Sequence, residues 1–157
     1  MTVHEVTPAI DLNTLLAGAQ FADAFSIEID DNALDARQAA ERMMTRQPRW
    51  IEALTSLRNI LVTPFGLKTS GASVATSRGM IGLFPIISET PDRLVAGFND
   101  KHLDFRVVVD VATSGAARNV TATTLVKTHN WLGRTYLAII LPFHRWVVPT
   151  LLRQVAI

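Results

Sequence analysis

The chain has 157 residues, with 15 lysines and arginines against 14 aspartates and glutamates and no cysteine. Disulfides, thiol nucleophiles and cysteine-ligated metals are excluded, and a net charge of +1 without a basic stripe is no footprint for nucleic acid. A chain of this length is one domain and buries roughly 68–70% of its unfolded surface without staples.

Residues 1–20 read as an N-terminal arm with a short helix around Asn13–Ala17. Glu5 and Asp11 are present and no basic stretch precedes an apolar one, so the arm does not read as a secretory signal. Residues 21–157 are then a single domain, expected in the cytoplasm. "FADAFSIEID" alternates, with Phe25, Ile27 and Ile29 on one face, and predicts a first strand. The period then changes. Asp35 and Gln38 form a capping-box pattern ahead of Ala36, Ala39, Ala40, Met43 and Met44 at helical spacing. Pro48 ends that helix and opens a second, with Trp50, Ile51, Leu54, Leu57 and Leu61 as its stripe and Pro64 and Gly66 as its stop. Lys68–Gly79 is a small, polar loop without a phosphate-cradling motif.

From Met80 the period is two. "MIGLFPIISE" predicts one strand, with Pro85 marking an edge or bulge. "LVAGF", "LDFRVVVDVAT" and "NVTATTLVKTH" follow, separated by short turns that imply antiparallel pairing. Phe105, Val107, Val109 and Val111 share one face. Asp104, Arg106 and Asp110 alternate on the other and read as a solvated charge ladder. Residues 131–156 predict one long helix laid across the sheet, with Leu137, Ile140, Leu141, Val148, Leu151, Leu152 and Val155 inward and bends at Pro142 and Pro149. Arg134, His144, Arg145 and Arg153 break its apolar run, which argues against a membrane span.

The fold class is therefore α+β: a curved antiparallel sheet wrapped on a long C-terminal helix, with two helices after the first strand. That order is similar to the helix-grip (START-like, SRPBCC-like) fold. The chain also resembles the bacterial family catalogued as domain of unknown function 2867. The likeness rests on "LRNILVTPFGLK", on "HNWLGRTYLAIILPFHRWVVPTLLR" and on the strands between, over roughly residues 20–156. Its most specific parts are Gly-Arg-x-Tyr and Pro-Phe-His. The resemblance implies an apolar ligand held between sheet and helix, as in helix-grip proteins, some of which are cyclases or hydratases. Relatives joined to nucleotide-binding oxidoreductase domains imply a partner of that kind, although no Gly-x-Gly-x-x-Gly follows a strand here.

Five residues are candidate ligand contacts. His129, Arg134 and Tyr136 sit where the last strand turns into the long helix. There they either line a cavity mouth, with His129 and Tyr136 as proton donors, or pin the junction. His144 is either a cavity-facing imidazole or is satisfied by neighbouring backbone. Arg58, beside Asn59, either closes one cavity end or bonds a helix end. The histidines His4, His102, His129 and His144 show no ligand spacing, so no metal and no cofactor is expected. Ala122, Thr124 and Ala138 are small residues where a filled interior would need large ones. The expected function is binding of a small apolar or amphipathic molecule. Alternatives are a cyclase- or dehydratase-like enzyme using histidine or tyrosine as acid/base, an interaction module for an oxidoreductase partner, and a homodimer.

Overall fold

Alternating apolar and polar residues set the sheet, and the sheet places everything else. The computed structural model of the chain describes residues 2–8, 12–31, 33–45, 49, 80–81, 84–99 and 102–156. The helix expected from Trp50 to Leu61, the Lys68–Gly79 loop, Arg58 and Asn59 lie outside the described residues. In chain order the described elements are β1 (His4–Val6), α1 (Leu12–Leu15), β2 (Phe21–Ile29), α2 (Ala36–Thr45), β3 (Met80–Ile81), β4 (Phe84–Glu89), β5 (Arg93–Asn99), β6 (Leu103–Ser114), β7 (Ala117–Thr128) and α3 (Trp131–Arg153), closed by a 3₁₀ turn over Gln154–Ala156. The strands pair antiparallel in the order β1-β2-β7-β6-β5-β4-β3. The fold is α+β, an antiparallel sheet with a long C-terminal helix.

Register assigns the faces. Phe25, Ala122, Val109 and Leu94 lie in one row across β2, β7, β6 and β5, with Ile27, Val120 and Val111 in the next. These residues are buried with Ala36, Ala39, Ala40 and Met43 of α2 and with Leu151, Leu152 and Val155 at the end of the chain. On the opposite face Ala24, Thr123, Val108 and Val95 form a buried row. The expected charge ladder there is divided. Arg93 pairs with its cross-strand partner Asp110 at 2.6 Å, and Arg106 donates to the carbonyls of Phe98 and Phe105 at 3.2 and 2.8 Å. Burial lowers the Arg106 pKa.

The capping box forms as the sequence predicts. Gln38 N–H donates to Asp35 Oδ1 at 2.8 Å, and Asp35 N–H donates to Gln38 Oε1 at 3.1 Å. Between the two capping residues, Arg37 grips Glu89 of β4 through Nε and Nη2 of its guanidinium, at 2.7 and 2.8 Å. That grip holds the Glu89 carboxyl below its ordinary range.

Three expectations need correction. The segment read as one strand from Met80 to Glu89 is two, because Met80 pairs with Pro85 and Ile81 with Phe84, so β3 folds back on β4. The expected arm contributes β1, whose Glu5 pairs with Phe25 on β2. The inward face of α3 is also narrower than the apolar pattern implies. Leu151, Leu152 and Val155 are buried, whereas Leu137, Ile140 and Leu141 are only half-buried and Ala138 points outward. The helix meets the core through its C-terminal third. By length and composition Trp131–Ala156 could cross a bilayer, yet its end belongs to this domain's core.

Candidate functional site

Asp23 is an acid on the apolar face of β2, between Phe21 and Phe25. A carboxylate buried among apolar side chains is costly unless something donates to it. The donor comes from α3, 121 residues away in sequence: His144 Nε2 lies 3.0 Å from Asp23 Oδ2 and 3.1 Å from Oδ1. Asp23 is buried and His144 nearly so, with side chains 9% and 13% exposed. An ionised carboxylate only accepts, so Nε2 carries the proton and Nδ1 is left to accept or, in the charged ring, to donate. The Phe21 ring meets the imidazole edge-on at 5.9 Å. The pair thus fixes α3 over β2 and sets an ionisable ring between helix and sheet.

A second polar cluster sits at the junction of β7 and α3. Asn130 caps the helix, its Oδ1 accepting from Gly133 N–H at 3.0 Å, and its Nδ2 lies 2.9 Å from His102 Nδ1. His129 donates its backbone N–H to the His102 carbonyl at 2.9 Å, and its ring Nε2 lies 2.9 Å from Asp104. Gln20 Oε1 accepts from both the backbone and the hydroxyl of Thr128. Gly133 allows this closeness, since a Cβ there would fall 2.1 Å from the His102 carbonyl oxygen. The glycine of the Gly-Arg-x-Tyr signature is therefore a contact between helix start and strand start.

A third feature is aromatic. The rings of Phe84, Phe98 and Phe105 cluster on the same face as Asp23, with centroids 5.0 to 6.1 Å apart, and all three are half-buried. Phe105 faces Val126 and Phe98 across the ladder, and Val126 faces Phe21. The cluster and the His144–Asp23 pair therefore share one apolar face. From Asp23 to Phe105 is two strands across, about 10 Å, and two residues along, about 7 Å.

The predicted site residues divide between these places. His144 is in the buried pair. His129 is at the junction with Asp104. Tyr136 is half-buried on α3, and Arg134 is exposed. His144 lies about 12 Å further along the helix than Tyr136 at a 1.5 Å rise per residue. Of the small residues, Ala122 is buried between its register partners Phe25 and Val109, Thr124 is buried between Asp23 and Val107, and Ala138 is exposed. Asp23, the aromatic cluster and the Asn130 cap were not anticipated. Asp23 carried a legible signal, an acid at an apolar parity position. The clustering of three phenylalanines from three strands had none, because it depends on register. Among the described residues no three histidines, aspartates or glutamates converge to hold a metal ion.

The family model described as a protein of unknown function (DUF2867) matches residues 15–151. No curated protein matches the chain. Among solved structures, a conserved protein from Geobacillus kaustophilus is similar at 11% identity and a TM-score of 0.43, over 87% of this chain and 93% of that one. CalU16 from Micromonospora echinospora is similar at 12% identity and a TM-score of 0.34, over 85% and 80%.

Proposed function

From the premise that the chain belongs to the DUF2867 family, a family of proteins of unknown function, we propose that it binds a small apolar or amphipathic molecule on the α3 side of its sheet. The apolar body rests on Phe84, Phe98 and Phe105, and the polar end turns toward His144 and Asp23. One observation carries this reading: a half-buried three-ring floor and a buried histidine–carboxylate pair lie on one face, about a small molecule's length apart. Covering half-exposed aromatic rings removes apolar surface from water, which favours binding, whereas covering a polar floor would cost its hydrogen bonds to water.

A second reading, an acid/base enzyme of cyclase or dehydratase type, is favoured by the same pair alone. Asp23 holds His144 Nε2–H and leaves Nδ1 as the proton-transfer atom.

The test is titration with the apolar dye anilinonaphthalene sulfonate, followed by native mass spectrometry of protein purified from its own host. A one-to-one saturation curve is expected, with a melting temperature that rises with dye concentration, because a ligand selective for the native state stabilises it by mass action. Phe98→Ala and Phe105→Ala should each weaken binding about tenfold, the loss expected for one buried aromatic contact. Dye binding that survives both changes and disappears in Trp146→Ser would place the dye on the outside of α3 and end this reading.

A further inference from the structure

The outer side of α3 carries four of the six large hydrophobic side chains that are exposed among the described residues. Trp131, Ile139 and Trp146 are 69%, 61% and 67% exposed, and Phe143 packs edge-on against Trp146 at 6.4 Å. Helical spacing puts these four with Ala138 and Pro142 on one side of the helix, opposite Leu151 and His144. We propose that this face seats on an anionic membrane surface, with the helix axis parallel to the bilayer plane.

Charge is the first argument. From Trp131 to the last residue there is no aspartate or glutamate, while Arg134 and Arg145 are exposed along one flank and Arg153, seven residues after Trp146, is exposed at the C-terminal end of the same face. The carboxylate that a described contact brings to this rim is Glu5, already engaged by Arg145 at 3.1 Å. Such a rim matches a negative surface. It does not match a second copy of itself. A parallel helix pair sets each arginine against its own equivalent, and an antiparallel pair crossing near Phe143 sets Arg134 against the end that carries Arg153.

Aromatic placement is the second argument. The two exposed tryptophans bracket Ile139 and Phe143 and stand about 22 Å apart along the axis, an arrangement suited to the headgroup level where indole rings collect. The prolines supply the third. Pro142 and Pro149 have no N–H, so the carbonyls of Ala138 and Arg145 lose their i+4 donors on the outward side. Hydrocarbon penalises such carbonyls, whereas the hydrated headgroup region satisfies them. Burial of Leu151, Leu152 and Val155 in the core keeps the helix on its own domain, lying on the surface and not spanning it.

The experiment is co-sedimentation of the full chain with vesicles of phosphatidylcholine, with and without phosphatidylglycerol. Binding is expected only with the anionic lipid and should weaken as salt rises. Arg134→Gln and Arg153→Gln should each reduce partitioning about fivefold, the effect of one basic residue near an anionic surface. The double variant Ile139→Ser and Trp146→Ser should reduce it about tenfold or more at an unchanged melting temperature. Phe105→Ala should leave it intact, which separates this surface from the ligand face. Folded protein that stays in the supernatant at low salt overturns the proposal, as does equal binding to neutral vesicles. A dimer in sedimentation equilibrium that Trp146→Ser dissociates also overturns it, by assigning the face to a second copy. Trp146-dependent capture of a protein partner without vesicle binding does the same.

Discussion

The middle of α3 and the C-terminal end it leads into are built from the same kinds of residue and meet opposite fates. Leu151, Leu152 and Val155 are buried, Leu152 and Val155 completely. Ile139, Phe143 and Trp146, a few turns earlier, face outward. Apolar composition thus does not decide where an apolar side chain goes. Position around the axis and distance along it relative to the sheet decide. The C-terminal third runs over the part of the sheet where α2 and the β2–β7–β6 rows already form a core. The middle is held to β2 by the hydrogen-bonded pair His144–Asp23, and its far side has nothing from this domain to cover it among the described residues.

The sharpest way to break the comparison is to truncate a side chain in each region. Leu152→Ala should destabilise by about 2–5 kcal/mol, because a fully buried leucine leaves a cavity that its neighbours only partly fill. Ile139→Ala, the same kind of truncation on the outer face, should fall within about 0.5 kcal/mol of the parent. Denaturant midpoints at matched slopes measure both. Equal losses would mean that the outer face is covered after all.

The helix start is held differently, by close approach. Gly133→Ala should cost about 1–3 kcal/mol, the usual range for forcing a methylene into packed surroundings, since the new Cβ meets the His102 carbonyl oxygen at 2.1 Å. In a helix elsewhere the same change stabilises, so a raised melting temperature would show that the junction opens freely. The mid-helix tether should matter about as much. Asp23→Ala removes the acceptor of a buried imidazole N–H and should cost about 1–3 kcal/mol, with Asp23→Asn nearer the lower end because its amide oxygen still accepts. Thermal unfolding of the two variants tests this order, and an Asn variant as unstable as the Ala variant would assign the cost to charge and not to the hydrogen bond.

Local chemistry was readable in the chain. Period-two alternation located β2, β5, β6 and β7 because a strand with one buried face must alternate. The Asp35–Gln38 box located the start of α2 because both bonds join residues three apart. The apolar run after Asn130 located α3 from end to end, since a helix assigned through Pro142 and Pro149 keeps its register. What the chain could not show was anything that depends on two distant segments meeting. The hairpin of β3 and β4 was hidden in one apolar run, because a two-residue strand has no period to read. His144 was legible as a candidate, but its partner Asp23 sits 121 residues away, and only the laying of α3 across β2 brings them within 3.0 Å. The aromatic floor needs three strands in register. The outward side of α3 needs the helix to be rotated about its axis by contacts at its far end. Sequence spacing states which residues share a face of one element, but which face meets the core is set by the packing of whole elements against one another.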